Sequence, residues 1–128
     1  MKDKLLELHK NSYSPYFNFP VSAIIVTKDG REFYGVNVEN ANGTSICAER
    51  GAISYAVASG VKKGDIKEIN IMTSSKDIGT PCFACRQVLL EFMEVGSIVR
   101  CFNINGDYKE YTLGELCPYP FSGDDLNA

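Results

Sequence analysis

The sequence has little of several features that define large protein classes. It contains a single histidine, His9, so a Ser-His-Asp or Cys-His catalytic site would have to be built around that residue. His9 lies in a charged N-terminal segment, where we expect it on the surface of a helix. The longest strongly apolar stretch, Val21 to Val26, is far shorter than the ~20 residues that cross a bilayer. The sequence therefore favours neither a histidine-based nucleophilic enzyme nor a membrane protein.

Basic residues are also too few for a typical polynucleotide-binding protein. The chain has 13 Lys and Arg against 16 Asp and Glu, a formal net charge of −3, and no basic patch stands out. Its N-terminus, MKDKLLE, has acidic residues where a secretory signal would be apolar. We therefore expect a cytoplasmic protein that acts on a small molecule and binds neither nucleic acid nor a membrane.

The composition is that of an ordinary globular domain. The 128 residues are 45% apolar and 23% charged, and the length fits one domain, 1–128, with a core that needs no disulfides. The chain has five cysteines, an odd number, and we expect it in a reducing compartment. The odd number of cysteines and the expected reducing compartment both argue against a disulfide framework, so the thiols are available for other chemistry.

Helix and strand patterns alternate along the chain. Hydrophobic spacing predicts helices at 3–10, from 44 or 45 to about 59, and around 85–92, and strands at 21–27, 32–38, 68–73, 98–104 and 107–112. The segments 28–30 (KDG) and 105–106 (NG) have the composition of hairpin turns. The order α-β-β-α-β-α-β-β predicts a three-layer α/β/α domain with one mixed sheet of five strands.

Three cysteines fall at the starts of the two predicted core helices. Cys47 begins the first, and Cys82 and Cys85 form a C-x-x-C pair directly after Pro81 at the start of the second. Free N–H groups at a helix N-terminus favour the thiolate over the thiol. Three converging thiolates would bind one Zn²⁺ per chain, and a fourth position left open is typical of catalytic zinc.

Glu49 and two arginines extend this hypothesis. A metal beyond the helix start could be ligated by Cys47 while Glu49 reaches water at its open position, which makes Glu49 a general acid/base candidate. Arg50 is three residues after Cys47, and Arg86 is four residues after Cys82, so each arginine can reach a ligand sulfur. Such contacts would withdraw charge from the thiolates and increase the Lewis acidity of the metal.

The same cysteines also fit interpretations without catalysis. A C-x-x-C pair with one distant cysteine could form a structural zinc site or a redox pair. A binding module stabilised by zinc would need the thiols but not Glu49. Cys101 and Cys117 are interpreted as buried thiols outside the site.

Segments 47–50 (CAER) and 81–87 (PCFACRQ) together resemble the signature of the small zinc-dependent cytidine deaminases. The resemblance extends over nearly the whole chain, including 14–21 (SPYFNFPV), 35–41 (GVNVENA) and 118–121 (PYPF). It implies a cytidine deaminase-like fold, a homotetramer, and hydrolytic deamination of free cytidine and 2′-deoxycytidine in pyrimidine salvage. Relatives that deaminate the nucleoside antibiotic blasticidin S share the zinc signature, so this compound is the alternative substrate.

The resemblance also implies roles for individual residues. Cys47, Cys82 and Cys85 would hold the zinc, and Glu49 would be the catalytic acid/base. The remaining roles concern the substrate: Phe19 would stack on the pyrimidine, Asn37 and Glu39 would bind the ribose hydroxyls, Ala48 would contact the substrate, and Phe121 would reach the site of a neighbouring subunit.

The sequence departs from the family pattern in three places. Phe83 and Ser22 stand where the family usually has glycine. The loop between Glu39 and Cys47 is one residue shorter than usual and lacks the aromatic residue commonly found there. These changes leave the metal site as it is and bear on the sugar side and the subunit contacts.

Overall fold

The computed structural model describes residues 1–127, which form one mixed five-stranded sheet with helices on both faces. The elements in chain order are α1 (Lys2–His9), β1 (Ser22–Thr27), β2 (Glu32–Val36), α2 (Ala48–Ala58), β3 (Ile66–Met72), α3 (Phe83–Phe92), β4 (Ile98–Phe102), β5 (Tyr108–Thr112), α4 (Leu113–Leu116) and α5 (Gly123–Asn127). The strand order is β2-β1-β3-β4-β5. Strands β3 and β4 are parallel, and the other neighbours are antiparallel. The predicted mixed sheet is therefore confirmed.

Alternation along the strands separates two hydrophobic clusters. Ala23 and Ile25 of β1 belong to the larger cluster, which also contains buried residues of α2 and α3. Ile24, between them, faces the opposite side and packs with Leu5 of α1 in a smaller cluster. Because successive strand side chains point to opposite faces, helices cover both sides of the sheet. This is the predicted three-layer α/β/α arrangement.

Local turn and cap signals explain where several elements begin and end. Gly30 and Gly106 both have φ of +88° and lie in the two predicted hairpin turns. The short helices α4 and α5 were not predicted. The start of α4 has a capping box in which the Thr112 side chain accepts from the Glu115 backbone, so this helix had a local signal that was overlooked.

The expectation that His9 lies on the surface is wrong. His9 is only 9% exposed, because α1 lies against β1 and β3 with Leu5 and His9 facing the sheet. Its imidazole is near the hydroxyl groups of Ser22 and Ser74. Among residues 1–127, no helix has both the length and the apolarity to span a membrane.

A close approach at Gly35 fixes the position of α2. A Cβ atom on Gly35 would lie 2.1 Å from the carbonyl oxygen of Ala48 and 2.5 Å from the backbone nitrogen of Ala52. Atoms this close cannot coexist, so the first turn of α2 lies directly on the backbone of β2. That turn contains Glu49 and directly follows Cys47, so the packing at Gly35 sets where both residues lie.

We expect Gly35→Ala to push the start of α2 away from the sheet. The overpacking should lower the free energy of unfolding by about 1–3 kcal/mol and weaken metal binding, because Cys47 moves with the helix. Thermal unfolding and bound zinc would be measured. Gly51→Ala is the matched control, since a Cβ at Gly51 meets only ordinary contacts, at 3.8 Å from Gly35 and Val36. Equal stability and zinc content in the two variants would contradict the argument.

Candidate active site

The three predicted metal ligands meet between the starts of two helices. Cys47 is the N-cap of α2, Cys82 is the N-cap of α3, and Cys85 lies in the first turn of α3. Their Sγ atoms all lie within 4.8 Å of one another. Cys85 is buried and Cys82 is exposed, so the cluster is closed on one side and accessible on the other. Three sulfur donors at this spacing fit a zinc ion with an open fourth position.

The ionisation of the thiols supports a cation in this cluster. Burial opposes ionisation of Cys82, but hydrogen bonds from the backbone and side chain of Cys85 and from Cys47 prevail and lower its pKa. Burial, with the nearby charges of Glu49 and Cys47, raises the pKa of Cys85 well above its ordinary value. Cys85 can therefore be ionised at this position only when a cation offsets the charge.

Glu49 combines burial with a position beside the cysteines. It lies in the first turn of α2, is 5% exposed, and lines the same cavity as Cys47 and Cys82. Burial raises the pKa of Glu49, and the hydrogen bonds to its own backbone and to Cys85 and the charge of Arg50 only partly oppose this. A buried carboxyl group with a raised pKa holds a proton more readily than an exposed glutamate does, which makes Glu49 a candidate general acid/base.

Arg50 lies against a ligand sulfur. Its Nη2 donates a hydrogen bond to Cys47 Sγ at 3.1 Å, and this contact raises the pKa of Arg50. The guanidinium approaches the cluster from α2, at the spacing of three residues from which the contact was expected.

Arg86 does not make the sulfur contact that was expected of it. Within residues 1–127, its guanidinium donates to the carbonyl oxygens of Pro81 at 2.7 Å and Leu116 at 2.9 Å, and to Thr80 Oγ1 at 2.8 Å. It also lies 4.4 Å from the centre of the Phe83 ring. These partners draw Arg86 toward the segment before α3 and the end of α4, where it supports the ligand-bearing turn from outside.

The other two cysteines lie outside the ligand cluster. Cys101 in β4 is fully buried, and burial raises the pKa of its thiol to about 12. Cys117 is half-buried, and its Sγ is 3.8 Å from the Arg86 carbonyl oxygen. Neither belongs to a metal-ligand group among the described residues, which agrees with their interpretation as thiols outside the site.

A cavity of about 320 Å³ opens onto Cys47, Cys82 and Glu49. Ligand cavities of roughly 300–1,000 Å³ are typical for small molecules. The predicted substrate-contact residues of this wall are Phe19, Asn37, Glu39 and Ala48. Phe121, the other predicted substrate-contact residue, does not line this cavity. Its side chain is exposed, and its carbonyl oxygen accepts a hydrogen bond from Gln87 Nε2 at 2.8 Å.

Glu39 and Asn37 also hold the loops that form this wall. Glu39 is 6% exposed, and its Oε1 accepts hydrogen bonds from the backbone nitrogens of Tyr16 at 2.8 Å and Phe17 at 3.2 Å. Asn37 Nδ2 donates to the Phe19 carbonyl oxygen at 2.8 Å, and its Oδ1 accepts from the Val21 backbone at 2.9 Å. Both side chains therefore stabilise residues 16–21 in addition to facing the cavity.

Several wall residues were missed by the sequence analysis. The cavity is also lined by Phe17, Val21, Ile46, Ile71, Thr73 and Thr80. The wall residues that adjoin a motif in the sequence could have been predicted from that proximity. Ile71 lies at the end of β3 and Thr73 directly follows that strand, and only the arrangement of strands brings them to the site.

Comparisons with known proteins point to one family. Residues 1–101 match the family described as cytidine and deoxycytidylate deaminase zinc-binding region. A cytidine deaminase of Halalkalibacterium halodurans is 37% identical over 123 residues, covering 95% of this chain and 92% of that protein. The cytidine deaminase of Mycoplasma genitalium is 37% identical over 108 residues, covering 84% and 82%.

The fold agrees with these similarities. The crystal structure of the cytidine deaminase from Burkholderia pseudomallei matches with a TM-score of 0.86 and 37% identity, covering 94% of this chain and 99% of that one. The region that matches the family includes Cys47, Glu49, Cys82 and Cys85. The chain belongs to the cytidine and deoxycytidylate deaminase zinc-binding family.

Proposed function

We propose that the protein is a zinc-dependent hydrolytic deaminase of free cytidine and 2′-deoxycytidine. Water replaces the amino group at C4, which yields uridine or 2′-deoxyuridine and ammonia. One observation carries the proposal: a buried carboxyl group, Glu49, lies beside three converging sulfurs at the base of a cavity of small-molecule size. The cytidine deaminases to which the chain is similar support the same reaction.

We also place this activity in a single catalytic domain that works in the cytoplasm and in pyrimidine salvage. The net charge of −3 and the absence of a membrane-spanning helix within residues 1–127 are compatible with that setting. Blasticidin S is the alternative substrate, and a zinc-binding module without turnover is the alternative of another class.

Each residue at the base of the cavity has a separate role. The three cysteines hold one zinc ion per chain, which supplies a Lewis acid that makes water a better nucleophile. Glu49 accepts the proton of the attacking water and transfers it to N3 of the pyrimidine. It then accepts the proton of the hydroxyl group formed at C4 and transfers it to the departing amine, so that C4 becomes a carbonyl and ammonia leaves. The raised pKa of Glu49 suits this sequence, because the same carboxyl group must gain and lose a proton in each cycle.

Arg50 adjusts the charge of the metal site. Zinc with three thiolates has a formal charge of −1, which reduces its power as a Lewis acid. The hydrogen bond from Arg50 Nη2 to Cys47 Sγ withdraws charge from one thiolate and offsets this reduction. Arg86 contributes indirectly, because its bonds to Pro81 and Thr80 hold the turn that carries Cys82.

The cavity wall supplies the contacts with the nucleoside. The Phe19 ring stacks on the pyrimidine, and the start of α2 at Ala48 borders the base. Asn37 and Glu39 face the sugar. Within residues 1–127 the hydrogen bonds of Glu39 use Oε1, so Oε2 can accept from a ribose hydroxyl.

Glu49→Gln tests the catalytic assignment, because it preserves size but removes the acid/base function. We expect deamination of cytidine to fall by about 10²–10⁴-fold, while the zinc content and the thermal stability stay near those of the wild type. The loss of amino-pyrimidine absorbance gives the rate, and atomic absorption gives the metal content.

Two cysteine variants complete that experiment. Cys85→Ser should lose zinc and activity together, whereas Cys117→Ser, outside the ligand cluster, should keep both. Wild-type activity in Glu49→Gln would contradict the mechanism, and zinc retained at full occupancy in Cys85→Ser would contradict the ligand assignment. Zinc binding without turnover of any cytosine nucleoside would favour the binding module.

Glu39 should make the site selective for nucleosides without a phosphate. A phosphate near the sugar would approach the Glu39 carboxylate, and two anions repel strongly where water is excluded. We expect kcat/KM for cytidine to exceed that for cytidine monophosphate by at least about tenfold, and RNA and single-stranded DNA should not react.

Glu39→Gln should narrow the preference for cytidine over its monophosphate. The glutamine keeps an oxygen for the Tyr16 and Phe17 backbone nitrogens, so the loop should hold, while the negative charge is removed. Blasticidin S lacks an ordinary ribose and serves as the comparison substrate. A higher kcat/KM for blasticidin S than for cytidine would overturn the choice of substrate.

We further propose that the active form is a homotetramer in which Phe121 completes a neighbouring site. Exposed aromatic side chains near the cavity and the C-terminus support this: Phe17 is 76% exposed, Phe83 76%, Phe121 59% and Tyr119 fully exposed. Aromatic surface of this kind marks protein interfaces.

Sedimentation should therefore give a mass four times that of one chain. Phe121→Ala should lower kcat/KM for cytidine by at least about tenfold, since an aromatic contact that excludes water is lost. Leu126→Ala is the control, because Leu126 of α5 is also an exposed apolar side chain near the C-terminus but has no proposed contact with the nucleoside. A fully active monomer would refute the proposal.

A further inference from the structure

The buried histidine has no role in the chemistry proposed above. His9 is the last residue of α1, and its imidazole lies between the hydroxyl groups of Ser74 and Ser22. Its Nε2 is 3.1 Å from Ser74 Oγ, and its Nδ1 is 3.5 Å from Ser22 Oγ. A buried imidazole needs hydrogen-bond partners. The role of His9 is therefore sought in the groups that its partners bind in turn.

The direction of the hydrogen bonds follows from the two serines. Ser74 Oγ donates its proton to the Pro20 carbonyl oxygen at 2.6 Å, so toward His9 it can only accept. His9 Nε2 must therefore be the donor. Ser22 Oγ donates its proton to the Leu5 carbonyl oxygen at 2.9 Å, so it does not donate to Nδ1 of His9, 3.5 Å away, and the bond that fixes the ring is the one from Nε2 to Ser74. Burial lowers the pKa of His9, which favours the neutral ring. The contact with Ser74 places the single ring proton on Nε2.

The chain of bonds ends at the wall of the cavity. Pro20 has no N–H group, so its carbonyl oxygen is its one backbone polar group. The Phe19 carbonyl is held by Asn37, and the Pro20 carbonyl is held by Ser74. These two anchors fix the irregular segment that presents the Phe19 ring to the cavity.

We propose that His9 is a positioning residue for the substrate: it orients the Ser74 hydroxyl, which holds Pro20 and thereby places Phe19 against the base. Without His9, the Ser74 hydroxyl can rotate among its rotamers and the anchor at Pro20 weakens. The N-terminal helix, on the opposite side of the sheet from α2, is in this way linked to the nucleoside cavity. The step from Phe19 to the pyrimidine rests on the proposed function.

Kinetics of the zinc-loaded enzyme test the link. His9→Ala and Ser74→Ala should each raise KM for cytidine by roughly tenfold, the equivalent of one lost hydrogen bond, with kcat within about twofold of wild type because the metal and Glu49 are untouched. The double variant should be no worse than either single one, since both break the same chain. His9→Gln should restore most of the affinity, because the glutamine amide can donate in place of Nε2.

Leu8→Ala separates positioning from simple destabilisation. Leu8 packs on the same helix against the smaller hydrophobic cluster but makes no bond in the chain from His9 to Pro20. It should lower thermal stability without the rise in KM. An equal rise in KM for Leu8→Ala, or additive effects of His9→Ala and Ser74→Ala, would overturn the proposal.

Amide hydrogen exchange provides a readout that needs no activity. In His9→Ala, exchange should accelerate in the peptide covering residues 17–21 more than in the core strand β3, whereas in Leu8→Ala the peptide 17–21 should stay as protected, relative to β3, as in the wild type. Unchanged exchange at 17–21 in His9→Ala would refute the positioning role. Failure of the wild type to deaminate cytidine would instead refute the proposed function and leave this exchange test valid.

Discussion

The site depends on bringing three thiolates together in a partly buried space. Like charges at that distance repel, and burial together with the nearby charges of Glu49 and Cys47 holds the pKa of Cys85 far above its ordinary value. The fold counters this repulsion with the positive ends of α2 and α3, with the guanidinium of Arg50 on Cys47, and with a place for a divalent cation. The two helix starts must therefore be fixed relative to each other, and the absence of a side chain at Gly35 lets α2 begin directly on the sheet.

The two sides of the cavity are built in different ways. The base is carried by the ends of regular helices, whose backbone bonds fix the sulfurs and Glu49. The outer wall comes from irregular segments before β1 and after β2. Their order comes from side chains that bind backbone groups: Glu39 holds Tyr16 and Phe17, Asn37 holds Phe19, and Ser74 holds Pro20. A rigid reactive centre is thus combined with a wall whose geometry depends on a few hydrogen bonds.

Features that depend on neighbouring residues could be predicted from the sequence, whereas features that depend on contacts between distant parts of the chain could not. The sheet and its hairpins were predictable because strand alternation and turn composition are local, and the metal ligands because C-x-x-C and Cys47 begin helices. The burial of His9 was missed because it depends on α1 lying on the sheet, opposite Ser74 at 65 positions away. The contact of Arg86 with Leu116, 30 positions away, was missed for the same reason. The side chains that hold the cavity wall bridge 16 to 54 positions, and no local pattern marks them.

Arg50 contacts a ligand sulfur and Arg86 does not, and this difference sets the charge of the metal site. Zinc with three thiolates has a formal charge of −1, and one guanidinium in contact with a sulfur brings the group to zero. If Arg86 also lay on a sulfur, the group would be positive and would favour the ionised form of Glu49, lowering its pKa. Arg86 instead bonds to Pro81 and Leu116 and packs on Phe83. Burial raises the pKa of Glu49, and Arg86 does not oppose that rise, which suits the proton transfers proposed for this carboxyl group.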